Sequence, residues 1–120
     1  MQLKKELLET AFPPWGKWEV LLEKPGFKVK QITVDPGQKL SYQKHAKRQE
    51  HWVAVQGEGL AILDGQEFKL KPGGTIDIPL GMAHRAANQG KAPFIFIEVQ
   101  LGSYLGEDDI IRLEDSYGRV

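Results

Sequence analysis

Turn-forming residues divide this chain into short apolar runs, and this spacing constrains the fold more than any other feature. Pro25-Gly26, Asp35-Pro36-Gly37 and Asp64-Gly65 are turn sequences of this kind. The runs between such turns are rich in β-branched and aromatic residues, as in Phe27–Val34 (FKVKQITV). Residues 94–101 (FIFIEVQL) form the most continuous run and are predicted to be a central, buried strand. Many short strands, with turns about every eight to twelve residues, predict an all-β sandwich or barrel.

The N-terminus departs from this strand pattern. Four apolar residues recur there at helical spacing: Leu3, Leu7, Leu8 and Ala11. We therefore expect a short amphipathic helix over residues 3–11, which Pro13-Pro14 would end. The chain is predicted to consist of an N-terminal helical arm, residues 1–13, and a single domain, residues 14–120.

Composition excludes several classes of protein. The 120 residues include no cysteine, which rules out thiolate zinc sites and cysteine nucleophiles and fits a reducing compartment. Sixteen basic and sixteen acidic residues give a net charge of zero, which argues against nucleic-acid binding because that needs a basic surface. We find neither a signal peptide nor a run of about 18 apolar residues that would span a membrane. We therefore expect a cytoplasmic protein that binds a small molecule rather than nucleic acid or a membrane.

Four side chains with metal-binding groups lie where strands could bring them together. Gln43 and His45 are two residues apart, so on a strand both point to one face. Glu50 follows after a four-residue loop, and His84 lies on a later strand. Taken singly, each residue is most often a surface or hydrogen-bonding group, but together two imidazoles, a carboxylate and an amide oxygen suit a divalent cation. The two histidines and the carboxylate also match the ligand set of non-haem iron enzymes.

The spacing of these residues resembles both sequence motifs of the cupin superfamily. The first motif corresponds to residues 37–57, with Gln43 where the family usually has histidine, and the second to residues 73–88, which contain His84. This resemblance implies a cupin double-stranded β-helix, a small jelly-roll barrel, over residues 14–120. It also implies one divalent metal ion in the mouth of the barrel. Nitrogen and oxygen ligands make zinc the first expectation, with manganese, iron, nickel and cobalt as alternatives.

A narrower resemblance covers nearly the whole chain from Pro14. Segments such as LSYQKHAKRQEHWVAVQG, IPLGMAHR and IEVQLGSYLGEDDIIRLEDSYGR are similar to the C-terminal domain of type II mannose-6-phosphate isomerases. That family usually has an N-terminal mannose-1-phosphate guanylyltransferase domain as well, and we expect a stand-alone cupin domain here, without guanylyltransferase activity. The resemblance implies interconversion of mannose 6-phosphate and fructose 6-phosphate. One departure is Pro13, where the family commonly has arginine.

An aldose–ketose isomerase needs a Lewis acid beside the carbonyl oxygen and a base beside the adjacent carbon. Glu98 is the first candidate for the base because it lies in an otherwise apolar strand, where partial desolvation would raise its pKa. Gln100 would share its face of the strand and is therefore a candidate for substrate binding. The alternative is that Glu98 faces solvent or pairs with a lysine. His51 is the second candidate, although alternation from Glu50 turns it away from the metal.

The phosphate of such a substrate needs cations near the metal. Arg48 is the first candidate for catalysis and substrate binding because it lies between the ligands and can form a bidentate pair with phosphate. Its alternative role is a surface salt bridge with the acidic residues 107–109. Further basic candidates lie near the ligands or on the first long strand: Lys28, Lys30, Lys44 and Arg85. The acidic C-terminal stretch is interpreted from composition as a solvated loop, whereas the resemblance implies a lid or a closing strand.

Two other functions fit the same residues. An iron-dependent dioxygenase would use His45, His84 and Glu50 and would consume oxygen. A non-catalytic sugar-binding or regulatory module would bind metal and ligand without turnover. By resemblance to small cupins we also expect a homodimer, formed through the exposed face of residues 94–101 or through the N-terminal helix.

Overall fold

The computed structural model describes residues 8–119, and all regular structure in this range is β-strand. The strands are β1 (Thr10–Ala11), β2 (Gly16–Lys24), β3 (Phe27–Val34), β4 (Tyr42–Lys44), β5 (Arg48–Gln56), β6 (Gly59–Leu63), β7 (Gln66–Leu70), β8 (Thr75–Ile78), β9 (His84–Ala87), β10 (Phe94–Gly102) and β11 (Ile111–Glu114). Within this range no helix is long and apolar enough to cross a membrane.

The predicted N-terminal helix is wrong at its C-terminal end. Thr10–Ala11 form β1 and pair antiparallel with Trp18 and Glu19 of β2. Helical spacing is outweighed here because the open edge of a sheet supplies partners for the backbone hydrogen-bonding groups. The first part of the predicted helix, residues 1–7, lies outside the described residues.

Two antiparallel sheets form the barrel. The first has the order β1-β2-β3-β10-β5-β8, and the second has the order β11-β4-β9-β6-β7. Residues 94–101 are confirmed as a central strand, because β10 lies between β3 and β5 and its alternate side chains are buried. Turns at Gly26 and Gly65, both with positive φ, reverse the chain between the neighbouring strands β2 and β3 and between β6 and β7, as Pro25-Gly26 and Asp64-Gly65 indicated.

The inward faces of the two sheets form a core with an apolar and a polar end. At the apolar end Trp52 packs against Phe96 with ring centroids 4.4 Å apart, and Phe96 packs against Phe94. Gly59 of β6 lies so close to the ring of Phe94 that a Cβ there would overlap it. The other end of β10 carries inward polar side chains and leads to the site described below.

Strand register aligns the inward polar residues of three neighbouring strands. Glu98 lies opposite Lys30 of β3, and Gln100 lies opposite Lys28 of β3 and Glu50 of β5. All five side chains are buried. Charged and polar side chains are therefore concentrated in one half of the barrel interior, where most barrels of this size would have apolar residues.

The outward face of the first sheet is partly apolar. Val53, Val55 and Leu101 are among its exposed side chains. This is the face that was expected to join two copies of the chain, and the homodimer stays a prediction.

Candidate metal centre

His45, Glu50 and His84 come together inside the barrel. His45 directly follows β4, Glu50 is the third residue of β5, and His84 begins β9. Each offers one donor atom, and these atoms lie within 4.8 Å of one another. All three side chains are buried. The first sheet supplies the carboxylate and the second sheet supplies both imidazoles, so the set spans the interior.

Backbone carbonyls orient both imidazoles. Nδ1 of His45 lies 2.6 Å from the backbone oxygen of Asp109, and Nδ1 of His84 lies 2.9 Å from that of Met82. Because a carbonyl oxygen only accepts, Nδ1 must carry the proton in both rings, and each Nε2 keeps a lone pair. Carbonyl partners of this kind commonly fix the tautomer of metal-binding histidines.

Nε2 of His84 is the atom best placed to bind a metal ion. It is buried and has no hydrogen-bond partner among residues 8–119, although Oε1 of Glu50 lies 3.5 Å away. Nε2 of His45 lies 3.2 Å from Oε2 of Glu50. Two lone pairs and a carboxylate facing one point form a donor set that fits a divalent cation such as zinc, manganese or iron.

Gln43 lies beside this triad and opposite His84 in the strand register. Its Oε1 accepts a hydrogen bond of 2.6 Å from Ser41, while its Nε2 lies 3.3 Å from Nε2 of His45. In this orientation the amide nitrogen faces the triad. A half-turn of the amide would present the oxygen instead, which is the atom that the predicted fourth ligand requires.

Arg48 holds the carboxylate of the triad. Its Nε and Nη2 donate to Oε2 of Glu50 at 2.9 and 2.8 Å, and its Nη2 lies 3.2 Å from Nε2 of His45. Trp52 donates from Nε1 to the other oxygen of Glu50 at 3.1 Å. The carboxylate is therefore fixed from both sides. Arg48 is itself buried, so its pairing with Glu50 replaces the surface salt bridge considered from the sequence.

The electrostatics keep Glu50 negatively charged. Burial alone would raise the pKa of Glu50, but the neighbouring His84, Arg48 and His45 hold it well below its usual value. Burial lowers the pKa of His45, which favours its neutral form. For His84 the effect of burial is outweighed by Glu50, which raises the pKa, so a proton and a cation compete for Nε2.

Glu98 is a buried carboxyl group next to the triad. Gln100 donates from Nε2 to Oε2 of Glu98 at 2.6 Å, and both side chains are buried. Burial, and then the negative charge of Glu50, raise the pKa of Glu98 to about 7. Glu98 thus faces the cavity rather than solvent, and it is 5% exposed.

Lys28 and Lys30 point inward from β3 and share a counter-ion. Nζ of Lys30 lies 2.6 Å from Oε2 of Glu107, and Nζ of Lys28 lies 3.5 Å from the same atom. Nζ of Lys30 also lies over the ring of Trp18, 4.0 Å from its centroid. Although burial pushes the pKa of Glu107 upward, Lys30 brings it below its usual value on balance. The acidic segment after β10 therefore covers a cationic part of the interior.

Two arginines of the C-terminal segment line the same cavity as His45 and Glu98, and the sequence analysis did not include them. Arg112 lies on β11 opposite Gln43, and its buried Nε has no hydrogen-bond partner among residues 8–119. Arg119 is held by three hydrogen bonds to Asp115. Recognising IRLE as a strand would not have identified Arg112, because its alternation predicts that Ile111 and Leu113 face inward, whereas both are exposed and Arg112 lines the cavity. No periodicity marks Arg119 either.

This cavity reaches the triad at His45, and its lining also includes Gln43, Lys30, Arg48, Glu98, Glu107 and Arg119. Glu50 and His84 are not among its lining residues. Lys44 and Arg85, two of the predicted substrate-binding residues, do not line it. Both follow an inward residue on a strand, so alternation turns them to the outer face. His51 also points outward, where its Nδ1 lies 2.7 Å from Asp77.

The family model described as the C-terminal domain of mannose-6-phosphate isomerase matches residues 2–115. The chain belongs to this family. The shared residues span both parts of the candidate metal centre and the segment that covers it.

The relatives that this chain matches are longer proteins. A mannose-1-phosphate guanylyltransferase from Klebsiella pneumoniae is 45% identical over 108 residues, which is 90% of this chain and 23% of that protein. The alginate biosynthesis protein AlgA from Pseudomonas aeruginosa is 49% identical over 110 residues, 92% of this chain and 23% of that protein. The chain thus spans about a quarter of the length of the relatives it matches.

Solved structures share the fold of this family member. A protein with a double-stranded β-helix domain from Klebsiella pneumoniae superimposes with a TM-score of 0.71 at 28% identity, covering 81% of this chain and 83% of that one. The cupin fold predicted from the two motifs is therefore confirmed for the barrel.

Proposed function

We propose that this chain is a metal-dependent sugar-phosphate isomerase that interconverts mannose 6-phosphate and fructose 6-phosphate. The observation that carries the proposal is one cavity lined by His45 of the donor triad, by the buried carboxyl group of Glu98 and by several cations. An isomerase of this type needs all three. The description of the family, which names mannose-6-phosphate isomerase, supports the choice of substrate.

His45, Glu50 and His84 would hold the metal ion, with Gln43 as the fourth ligand. A divalent cation bound there supplies positive charge beside the carbonyl oxygen of the substrate, which stabilises the enediolate form. Glu50 contributes the only negative charge among these ligands, so the site keeps net positive charge. Arg48 and Trp52 fix the orientation of Glu50, and Arg48 adds a second positive charge next to the cavity.

Glu98 would move the proton between the two carbons. In the forward direction its carboxylate takes the proton from C2 of the aldose and, after the enediol has formed, returns it to C1, while the hydroxyl proton passes from O2 to O1 to give the ketose. No oxidant is needed, because one C–H and one O–H bond break and one of each forms. Gln100 holds one oxygen of Glu98 through its amide nitrogen and so orients the carboxyl group.

The phosphate would bind among the cations that line the cavity. Lys30, Arg112 and Arg119 are three of these, and Glu107 is bound to Lys30. The cavity measures about 90 Å³, whereas small-molecule sites usually measure about 300 Å³ or more. The side chain of Glu107 would therefore leave Lys30 when the substrate enters, and the phosphate would take the place of the Glu107 carboxylate.

The test is an isomerase assay on protein of known metal content. The protein is stripped with a chelator, reloaded separately with zinc, manganese, cobalt, nickel or iron, and supplied with mannose 6-phosphate. Formation of fructose 6-phosphate with at least one metal, and its loss in the stripped protein, is the expected result. Glucose 6-phosphate, which differs in configuration at C2, serves as the comparison substrate.

Two outcomes of this assay would contradict the proposal. Saturable binding of mannose 6-phosphate without turnover under any metal would favour a binding module. Oxygen consumption by the iron-loaded protein, without isomerisation, would favour a dioxygenase. Both are measured on the same preparations, by calorimetry and with an oxygen electrode.

A further inference from the structure

A groove on the outer face of the second sheet lies across the barrel wall from the metal centre. Its volume is about 430 Å³, and its lining includes Lys39, Tyr42, Leu60, Ile62, Arg85 and Glu114. Arg85 faces this groove because it follows the inward His84 on β9. The groove is thus separate from the cavity used in the proposed reaction.

The floor of the groove is unusually well buried for an outward sheet face. Leu60, Arg85 and Ala87 are only 8%, 7% and 6% exposed. Ala87 and Leu60 are partners in the register between β9 and β6, and Ile62 lies opposite Arg85. The small side chain of Ala87 leaves space between larger neighbours, so the floor offers an apolar surface next to a guanidinium group.

The guanidinium group of Arg85 is held in place but is incompletely paired. Its Nε donates to the backbone oxygen of Leu40 at 2.9 Å, and its Nη1 donates to Oε1 of Glu114 at 2.6 Å. Its Nη2 is buried and has no hydrogen-bond partner anywhere in residues 8–119. A buried donor without a partner is unfavourable, so Nη2 is available to an acceptor that reaches the groove.

We propose that this groove binds a small organic carboxylate, with its two oxygens on Nη1 and Nη2 of Arg85 and its apolar part on Leu60 and Ile62. Paired nitrogens of one guanidinium match the two oxygens of a carboxylate. Glu114 already places a carboxylate oxygen on Nη1, and its side chain is 66% exposed, so it can turn away into solvent. The carboxylate of the ligand therefore replaces that of Glu114 on Nη1 and also accepts a hydrogen bond from Nη2.

The charge of the groove favours a single negative charge on the ligand. Lys39 and Arg85 are balanced by Glu67 and Glu114 in the lining. When Glu114 turns away, one net positive charge remains at the floor, which suits a carboxylate better than a doubly charged phosphate ester.

The experiment is an NMR titration of the metal-loaded, ¹⁵N-labelled protein with sodium benzoate. Benzyl alcohol, of similar shape but uncharged, and inorganic phosphate are titrated in parallel. We expect saturable shift changes at the amides of Leu60, Arg85 and Ala87 with benzoate, and weaker or no saturation with the other two compounds.

Two variants examine the role of each charge. Glu114→Gln removes the internal competitor and is expected to tighten benzoate binding about twofold to fivefold, as the loss of one exposed ion pair implies. Arg85→Lys keeps the charge but removes the paired nitrogens, and it should weaken binding about tenfold or more. Glu58→Gln, which removes an exposed carboxylate outside the groove, is the matched control and should leave the affinity unchanged.

Several results would overturn the proposal. The first is that benzoate binding does not saturate in either the wild type or Glu114→Gln. The second is that benzyl alcohol binds as tightly as benzoate, or phosphate more tightly. The third is that the shift changes are confined to Lys30 and Glu98 in the cavity. If Arg85→Lys does not fold, Glu114→Gln decides alone, because its side chain is exposed. A purely structural ion pair between Arg85 and Glu114 predicts lower stability in Glu114→Gln and no gain in affinity.

Discussion

The backbone oxygen of Asp109 accepts a hydrogen bond from Nδ1 of His45, 64 residues earlier in the chain, at 2.6 Å. The carboxylate of Asp109 accepts two more from the backbone nitrogens of Ala46 and Lys47, at 3.0 and 2.9 Å. One residue of the C-terminal segment thus holds both the ring of His45 and the loop that follows it.

Asp109→Ala is expected to weaken metal binding about 10- to 100-fold, the usual effect of losing a group that orients a ligand. The carbonyl remains, but the two hydrogen bonds that position it beside His45 are lost. Titration with zinc against a competing chelator measures the affinity. Asp108→Ala is the control, since Asp108 is exposed and its hydrogen-bond partner within residues 8–119 is the hydroxyl of Tyr104. Equal affinities in Asp109→Ala and the wild type would contradict the role of Asp109.

The three histidines make a matched set for the metal centre. His45→Ala and His84→Ala should each reduce the bound metal to near zero after dialysis, because three protein ligands are the usual minimum for tight binding. His51→Ala should keep full metal content, because His51 points outward and pairs with Asp77. Elemental analysis of the dialysed proteins provides the measurement, and retention of metal by His84→Ala would place the ion elsewhere.

Glu98→Gln should lower kcat for mannose 6-phosphate isomerisation about 100- to 10,000-fold, as expected for loss of a general base. The metal content should not change, because Glu98 is not among the ligands. Equal loss of metal and activity would instead indicate a supporting role for Glu98 in the centre. Glu19→Gln, on the outer face of β2, serves as the control in both measurements.

The pH dependence of stability should report the bond between Asp115 and Arg119. Hydrogen bonds from Arg119 lower the pKa of Asp115 to about 2. A depressed pKa adds stability that is complete above the unfolded value, about 3.9, and is lost as the pH falls through the folded value. Melting temperatures between pH 2 and 5 should therefore fall less steeply in Asp115→Asn and in Arg119→Met than in the wild type. Parallel slopes in all three proteins would contradict this assignment.

Gly59→Ala tests the close packing at the apolar end of the barrel. The added methyl group would overlap the ring of Phe94, so we expect a loss of about 1–3 kcal/mol in the free energy of unfolding. Gly90→Ala, where a Cβ would meet only Oδ1 of Asn88 at 3.4 Å, should change it by less than about 0.5 kcal/mol. Urea denaturation of the two variants makes the comparison, and similar values would show that β6 can shift away.

The barrel could be predicted from local patterns, whereas the triad also needed the resemblance to both cupin motifs, because His84 is far from Glu50 in the chain. Turn residues mark where strands end, and a spacing of two places Gln43 and His45 on one face. The pattern of alternation also predicts the outward position of His51 and, against the first interpretation, of Lys44 and Arg85. Once a strand is recognised, the alternation of its side chains therefore predicts which of these residues face outward.

Long-range pairing explains what the sequence did not reveal. Thr10–Ala11 become a strand only because the edge of β2 is available to them. Arg112, Asp109 and Glu107 lie in a polar segment whose composition is that of a loop, and its order depends on contacts with β3, β4 and the residues just after β4. No local signal encodes those partners.

Because the triad draws its imidazoles from one sheet and its carboxylate from the other, an ion bound there would act as a cross-link between the two walls of the barrel. Unfolding would then have to break coordination bonds as well as separate the sheets, and the melting temperature would rise with the logarithm of free metal concentration. The rise in melting temperature at a fixed concentration of each metal would therefore rank the metals by affinity, without any knowledge of the substrate.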